Sequence, residues 1–143
     1  MHVLWVDDEP RVLGEWHRFV QEAGHVILDC IGPDEALDML EEKKNLIDRV
    51  IIDIMLHTGM AYKDVDTGLG MKTGLFLAAE IRHQLPEVPI LLLTNKRVEQ
   101  VRSEVDEEFP SVSSASLMDK PHHNPHDVLE WLLKPAAAEE IRP

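Results

Sequence analysis

Four short apolar runs in this chain of 143 residues each stop at residues able to handle phosphate or a cation. Val3 to Val6 leads into Asp7-Asp8, Val50 to Ile52 into Asp53, Pro89 to Leu93 into Thr94, and Ala115 to Met118 into Asp119-Lys120. Brought to one crevice, three carboxylates repel one another, and protonation or a bound cation relieves that cost. Oxygen-only ligands select a hard ion, and one or two carboxylates with waters and a phosphate oxygen are the usual surroundings of Mg²⁺. A carboxylate can also attack phosphorus and become an aspartyl phosphate. A hydroxyl such as that of Thr94 and an ammonium such as that of Lys120 would then stabilise the charge on the phosphoryl oxygens.

Taken singly, most of these residues have plainer roles. Asp7-Asp8-Glu9 suits the cap and first turn of a helix, where the dipole favours acids. Thr94 suits a cap, and a lone lysine is usually a surface group. Asp53 is harder to explain away, because an unpaired carboxylate at the end of a buried strand is costly. The four together, in matching chemical types at four strand ends, predict a site.

The elements that must position them follow from periodicity. Short apolar or β-branched runs alternate five times with segments of helical period, the pattern of a parallel sheet covered on both faces by helices. The predicted strands are Val3 to Val6, His25 to Cys30, Arg49 to Ile54, Pro89 to Leu93 and about Ala115 to Met118. The first helix begins at Pro10, carries a stripe of Val12, Leu13, Trp16, Phe19, Val20 and Ala23, and ends at Gly24. The second buries Ala36, Leu37 and Leu40, the third runs from Leu75 to Leu85, the fourth from Lys96 to Phe109, and the fifth from about Pro125 to Leu133. Right-handed crossovers then open all strand carboxyl ends on one edge, where ligands of such sheets bind. Trp5, Trp16 and Trp131 read as core or partly buried anchors.

Met55 to Thr73 has no period and, with Gly74, holds four of the seven glycines. Loops in α/β units usually run about 2–6 residues, so this one is long enough to carry function. Met55, Met60 and Met71 are expected to pack it.

Leu4-Trp5-Val6-Asp7-Asp8-Glu9-Pro10, Ile51-Ile52-Asp53-Ile54-Met55-Leu56, Leu92-Leu93-Thr94 and Asp119-Lys120-Pro121 together resemble the receiver domain of two-component response regulators, over roughly residues 2 to 134. The resemblance implies a flavodoxin-like α/β fold, five parallel strands in order 2-1-3-4-5, with a receiver domain over 1–134, an extended loop over 55–73 and a tail over 135–143. It implies that Asp53 accepts a phosphoryl group from a histidine kinase or phosphotransfer protein. Asp8, Asp53 and the backbone carbonyl of Met55 would bind Mg²⁺, with Asp7 acting mostly through a metal-bound water. Thr94 would move to the phosphoryl group and Lys120 would pair with it, followed by what is often a cis peptide to Pro121. The face made by helix four, strand five and helix five would report phosphorylation to a downstream protein. Two positions depart from the pattern: Leu117 stands where receivers usually carry Tyr or Phe, and the loop adds about a dozen residues beside the acceptor.

Two other readings remain: a degenerate receiver that binds proteins without phosphorylation, and a Mg²⁺-dependent phosphatase, which would need an acid where Met55 stands. Asp64-Val65-Asp66-Thr67 imitates a phosphatase nucleophile motif, but that motif must end a buried strand and Met60 to Lys63 is a poor one. As a calcium loop the same stretch fails at its twelfth position, Leu75. His122, His123 and His126 read as incidental loop histidines.

A net charge of −13, with no Lys/Arg cluster, argues against nucleic acid and anionic lipid as partners. The single cysteine, Cys30, lies in an apolar run and reads as a small buried hydrophobe; with no secretion signal, a reducing, cytoplasmic setting is expected. Only nine residues follow Lys134, too few for an output domain, so output is expected through protein contacts, as a monomer or weak homodimer.

Overall fold

The computed structural model describes residues 1–9 and 14–134. Its five strands are β1 (His2–Val6), β2 (Val26–Cys30), β3 (Arg49–Asp53), β4 (Ile90–Thr94) and β5 (Ser116–Asp119). All pair in parallel, in the order β2-β1-β3-β4-β5, the flavodoxin-like arrangement expected from the sequence. The helices are α1 (Gly14–Glu22), α2 (Pro33–Lys43), α3 (Thr73–Gln84), α4 (Val98–Glu108) and α5 (Pro125–Leu133). The expected start of the first helix at Pro10, with Val12 and Leu13, and the tail over 135–143 lie outside the described residues.

Successive side chains of a strand point to opposite faces, and both faces here are dry. Leu4, Val6, Val50, Ile52, Ile90 and Leu92 pack beneath α2, α3 and α4. Val3, Trp5, Ile51, Leu91 and Leu93 pack beneath α1 and α5, against Val20, Val128, Trp131 and Leu132. Trp16 packs partly buried against this second layer, as expected of an anchor.

Element ends shift by a residue or two for identifiable reasons. Strand β4 begins at Ile90, since Pro89 has no N–H to give and only its carbonyl joins the sheet, accepting from Val50 N at 3.0 Å. Helix α4 begins at Val98, later than Lys96, because Arg97 has an extended backbone, φ −64° and ψ 136°. Helix α3 starts two residues early, at Thr73, because Gly74 N donates to Ile54 O at 2.8 Å. A Cβ on Gly74 would lie 2.2 Å from the Asp53 carbonyl oxygen, so only glycine lets α3 dock against the end of β3.

The 55–73 segment is the main departure from an idealised βα unit, and it is tied down at several points. Leu56 N donates to Gly70 O at 3.2 Å, Gly70 N to the buried Thr67 Oγ1 at 3.1 Å, and Lys72 Nζ reaches Glu108 Oε2 at 2.9 Å. Tyr62 packs on the core beside Phe76, ring centroids 6.1 Å apart. Two of the three methionines do not do this packing: Met55 and Met60 are 39% and 69% exposed, because Leu56 and Tyr62 take the inward positions, whereas Met71 is half-buried beside Ile54 and Val101. Leu69 is wholly exposed with φ 60°, the one non-glycine residue at positive φ among those described.

Candidate functional site

Strands β1 and β3 are neighbours with Val6 opposite Ile52, so the residues that follow both, Asp7 and Asp53, emerge side by side at the carboxyl edge. Strand β5 ends two places away, and Lys120 returns from it across β4. The Lys120 ammonium lies 2.7 Å from Asp53 Oδ2 and 3.2 Å from Asp7 Oδ2. Asp7 is fully buried and Asp53 nearly so. Asp7 also accepts from Glu9 N at 2.7 Å, and Asp53 Oδ1 accepts from Met55 N at 3.2 Å. Asp8 is the most accessible of the three carboxylates; its Oδ2 accepts from His57 N at 3.2 Å.

One carboxylate oxygen from each of Asp7, Asp8 and Asp53 can be chosen so that all three lie within 4.8 Å of one another. Three anions against one lysine leave this cluster short of positive charge. Burial is the largest influence on Asp53; it outweighs the nearby Lys120 and pushes the carboxyl up to about 7. For Lys120, burial pulls downward, but Asp53 and Asp7 together outweigh it and hold the ammonium above its ordinary range. The donor set is all oxygen, compact and underneutralised, which fits a small hard divalent cation such as Mg²⁺.

A pocket of about 230 Å³ opens over this cluster, with Asp8, Asp53, Met55 and Lys120 on its walls. Sequence reasoning missed His57, Leu69 and Asn95, which also line it. Gly68 and Gly70, which flank Leu69, are the one sequence signal of an exposed turn there; nothing in the sequence marks His57. Thr94 is buried at the end of β4 but lines a separate small cavity with Ile54, Met55 and Val101, and its hydroxyl accepts from Lys96 N. The capping role weighed for Thr94 is not realised: Arg97 stands at the start of α4 without a side-chain cap, and the Thr94 hydroxyl holds only the turn before it. Leu117 is half-buried, paired with Leu92 and packed on the layer under α4.

Asp119 turns away from the pocket: it accepts from His122 N at 2.8 Å and caps the 3₁₀ turn Lys120–His122. The cis peptide that the resemblance often implies before Pro121 is not present. No described bond is cis; trans is favoured by about 0.5–1 kcal/mol, and the fixed φ of proline suits this turn. Asp64 to Thr67 falls on turns rather than at a strand end, so the phosphatase-like motif has no buried strand to present it. Cys30 is buried, which pushes its thiol up to about 12. No helix among the described residues is long and apolar enough to cross a membrane.

This fold is that of CheY-like response regulator receiver domains, the class the sequence resembles. A CheY-like receiver domain protein from Methanospirillum hungatei JF-1 superposes with a TM-score of 0.70 at 18% identity, over 97% of this chain and 95% of that one. A receiver protein from Sinorhizobium medicae WSM419 gives 0.73 at 19%, over 97% and 96%. The chemotaxis protein CheY4 of Vibrio cholerae gives 0.68 at 25%, over 92% and 94%. No protein-family model matches the sequence, and no curated protein is similar to it.

Proposed function

We propose that this chain is a signalling receiver that accepts a phosphoryl group on Asp53 from a histidine kinase or phosphotransfer protein and passes the signal on by protein contacts. The observation that carries this reading is Lys120 Nζ at 2.7 Å from Asp53 Oδ2, at the floor of a pocket rimmed by two further carboxylates. Asp7, Asp8 and Asp53, with the backbone carbonyl of Met55, are the residues that would hold Mg²⁺. When bound, the cation would neutralise charge on the phosphoryl oxygens.

A carboxylate oxygen of Asp53 attacks phosphorus in line; the new O–P bond forms as the bond from phosphorus to the donor, a histidine nitrogen in a protein donor, breaks. The leaving nitrogen takes a proton. Lys120 transfers its attraction from the carboxylate to the incoming phosphoryl oxygens, and Thr94 gives up its bond to Lys96 N to donate its hydroxyl to them. With Leu117 at the position of the usual aromatic, the Thr94 movement would be read through the leucine packing under α4. The signal would leave through the α4, β5 and α5 face.

Intact mass after incubation with acetyl phosphate tests the reading. One added phosphoryl group is expected, requiring both Mg²⁺ and Asp53, and absent in Asp53→Asn. A folded chain that gains no mass would refute it for small donors, and the same result with phosphohistidine protein donors would refute it outright.

A further inference from the structure

The carboxylate of Asp8 is held by the inserted loop rather than by its own strand. His57 N–H donates to Asp8 Oδ2 at 3.2 Å, and the same residue reaches the other way with its ring, Nε2 lying 3.2 Å from Ile31 O on the turn between β2 and α2. One helical step further, Asp34 accepts from Met60 N at 2.8 Å and Ala61 N at 2.9 Å. Those two bonds hold the half-buried Asp34 carboxyl below its ordinary range.

Two glycines make the fit possible. A Cβ on Gly32 would sit 2.4 Å from His57 Cε1, and one on Gly59 would sit 2.6 Å from Asp34 Oδ2. Residues 57–61 are therefore pinned to the β2–α2 turn from both sides, through one imidazole and one carboxylate. Towards the acidic cluster this pinned segment sends the His57 N–H, onto Asp8.

We propose that His57 is a positioning residue for the cation: its ring, seated against Gly32 and Ile31, holds the loop so that its backbone N–H presets the Asp8 carboxylate for Mg²⁺. This rests on the cation site described above. Groups that orient a ligand matter for metal affinity because an unheld carboxylate must lose its rotamer freedom on binding.

The test is a calorimetric titration of the full chain with Mg²⁺ alone. Gly32→Ala is the most selective variant: Gly32 has φ −176°, an extended backbone open to any residue, so the added methyl disturbs only the His57 ring. Gly32→Ala and His57→Ala are each expected to weaken Mg²⁺ binding about 3–10-fold, and the double variant no further, since both release one latch. His57→Gln, whose amide N–H can still reach Ile31 O, should stay near the parent affinity. An unchanged Mg²⁺ affinity in both single variants, or additive losses in the double, would overturn the assignment while leaving the cation site standing. A parent chain that takes up no Mg²⁺ would instead overturn the site itself, and the proposal with it. Should His57→Ala fold poorly, Gly32→Ala and Asp34→Asn decide the matter, because each loosens the same segment from outside it.

Discussion

Strand β3 carries a buried charge at each end, and the two are treated oppositely. At its start, Arg49 is 6% exposed, donates to the carbonyls of Trp131 at 3.2 Å and of Lys134, and lies 5.2 Å above the Trp131 ring. These carbonyls belong to the end of α5, where the helix dipole is negative. At its finish, Asp53 is 4% exposed but shares one ammonium with a second buried acid and sits beside a third. One end is a finished joint that ties the last helix to the sheet. The other is left with an excess of negative charge over a solvent pocket, a balance that a bound cation would complete. Both ends are equally dry, so burial alone does not separate structure from chemistry; the balance of partners does.

The comparison is broken most forcefully at Arg49. Replacing it with Met removes the charge, takes the side-chain donor from the Lys134 carbonyl and leaves the Trp131 carbonyl with Lys134 N alone, a loss of about 2–4 kcal/mol, or a fall in Tm of roughly ten degrees. Labelling of Asp53 by acetyl phosphate, measured well below the new Tm, should be unchanged. Loss of labelling in a folded Arg49→Met chain would show that the two ends of the strand are coupled.

Asp53→Asn sharpens the contrast in the other direction, because the site's charge is a burden on the fold. The folded carboxyl titrates near 7 and the unfolded one near 3.8, so between those values the native state keeps a proton that the unfolded chain has lost. Stability therefore falls as pH rises from about 4 to about 7 and is level above. The Asn variant lacks this slope. It should melt close to the parent at pH 4 and a few degrees higher at pH 8, a gain of about 1–3 kcal/mol, and Mg²⁺ should narrow the gap by stabilising only the parent. A variant less stable than the parent at pH 8 without Mg²⁺ would contradict the picture.

These two ends were not equally legible. The strand ends at Asp7, Asp8, Asp53, Thr94 and Lys120 could be read from the sequence because each follows an apolar run, and a parallel sheet sends every such end to one edge. Arg49 stood in plain view at the start of the third predicted strand, yet its partners lie 82 and 85 residues away and are backbone carbonyls, which no side-chain pattern reveals. The inserted loop was legible as an anomaly of length but not in its attachment. Asp34 is a first-turn acid of α2, and its bonds to Met60 N and Ala61 N again use backbone groups. The expectation that Met55 and Met60 would pack the loop failed for a related reason, since hydrophobicity alone does not say which residues of an aperiodic segment turn inward.

Lys120 gives the smallest effect at pH 5 and the finest discrimination. It is the site's own cation, the counterpart of Arg49, but its carboxylate partners titrate and the backbone carbonyls that Arg49 holds do not. In Lys120→Met, Asp53 loses the ammonium that pulls its titration down, so its folded pKa rises further above the unfolded value and the variant loses more stability as pH climbs. At pH 5 the proton on Asp53 stands in for the missing charge, and the variant should lie within about 1 kcal/mol of the parent. At pH 8 the deficit should be several times larger. Arg49→Met, by contrast, should show one deficit at both pH values, since carbonyls take no proton in this range. Parallel melts of the two variants at pH 5 and pH 8 thus separate a charge that completes the fold from one that neutralises a titrating carboxylate, and a pH-independent deficit in Lys120→Met would remove that distinction.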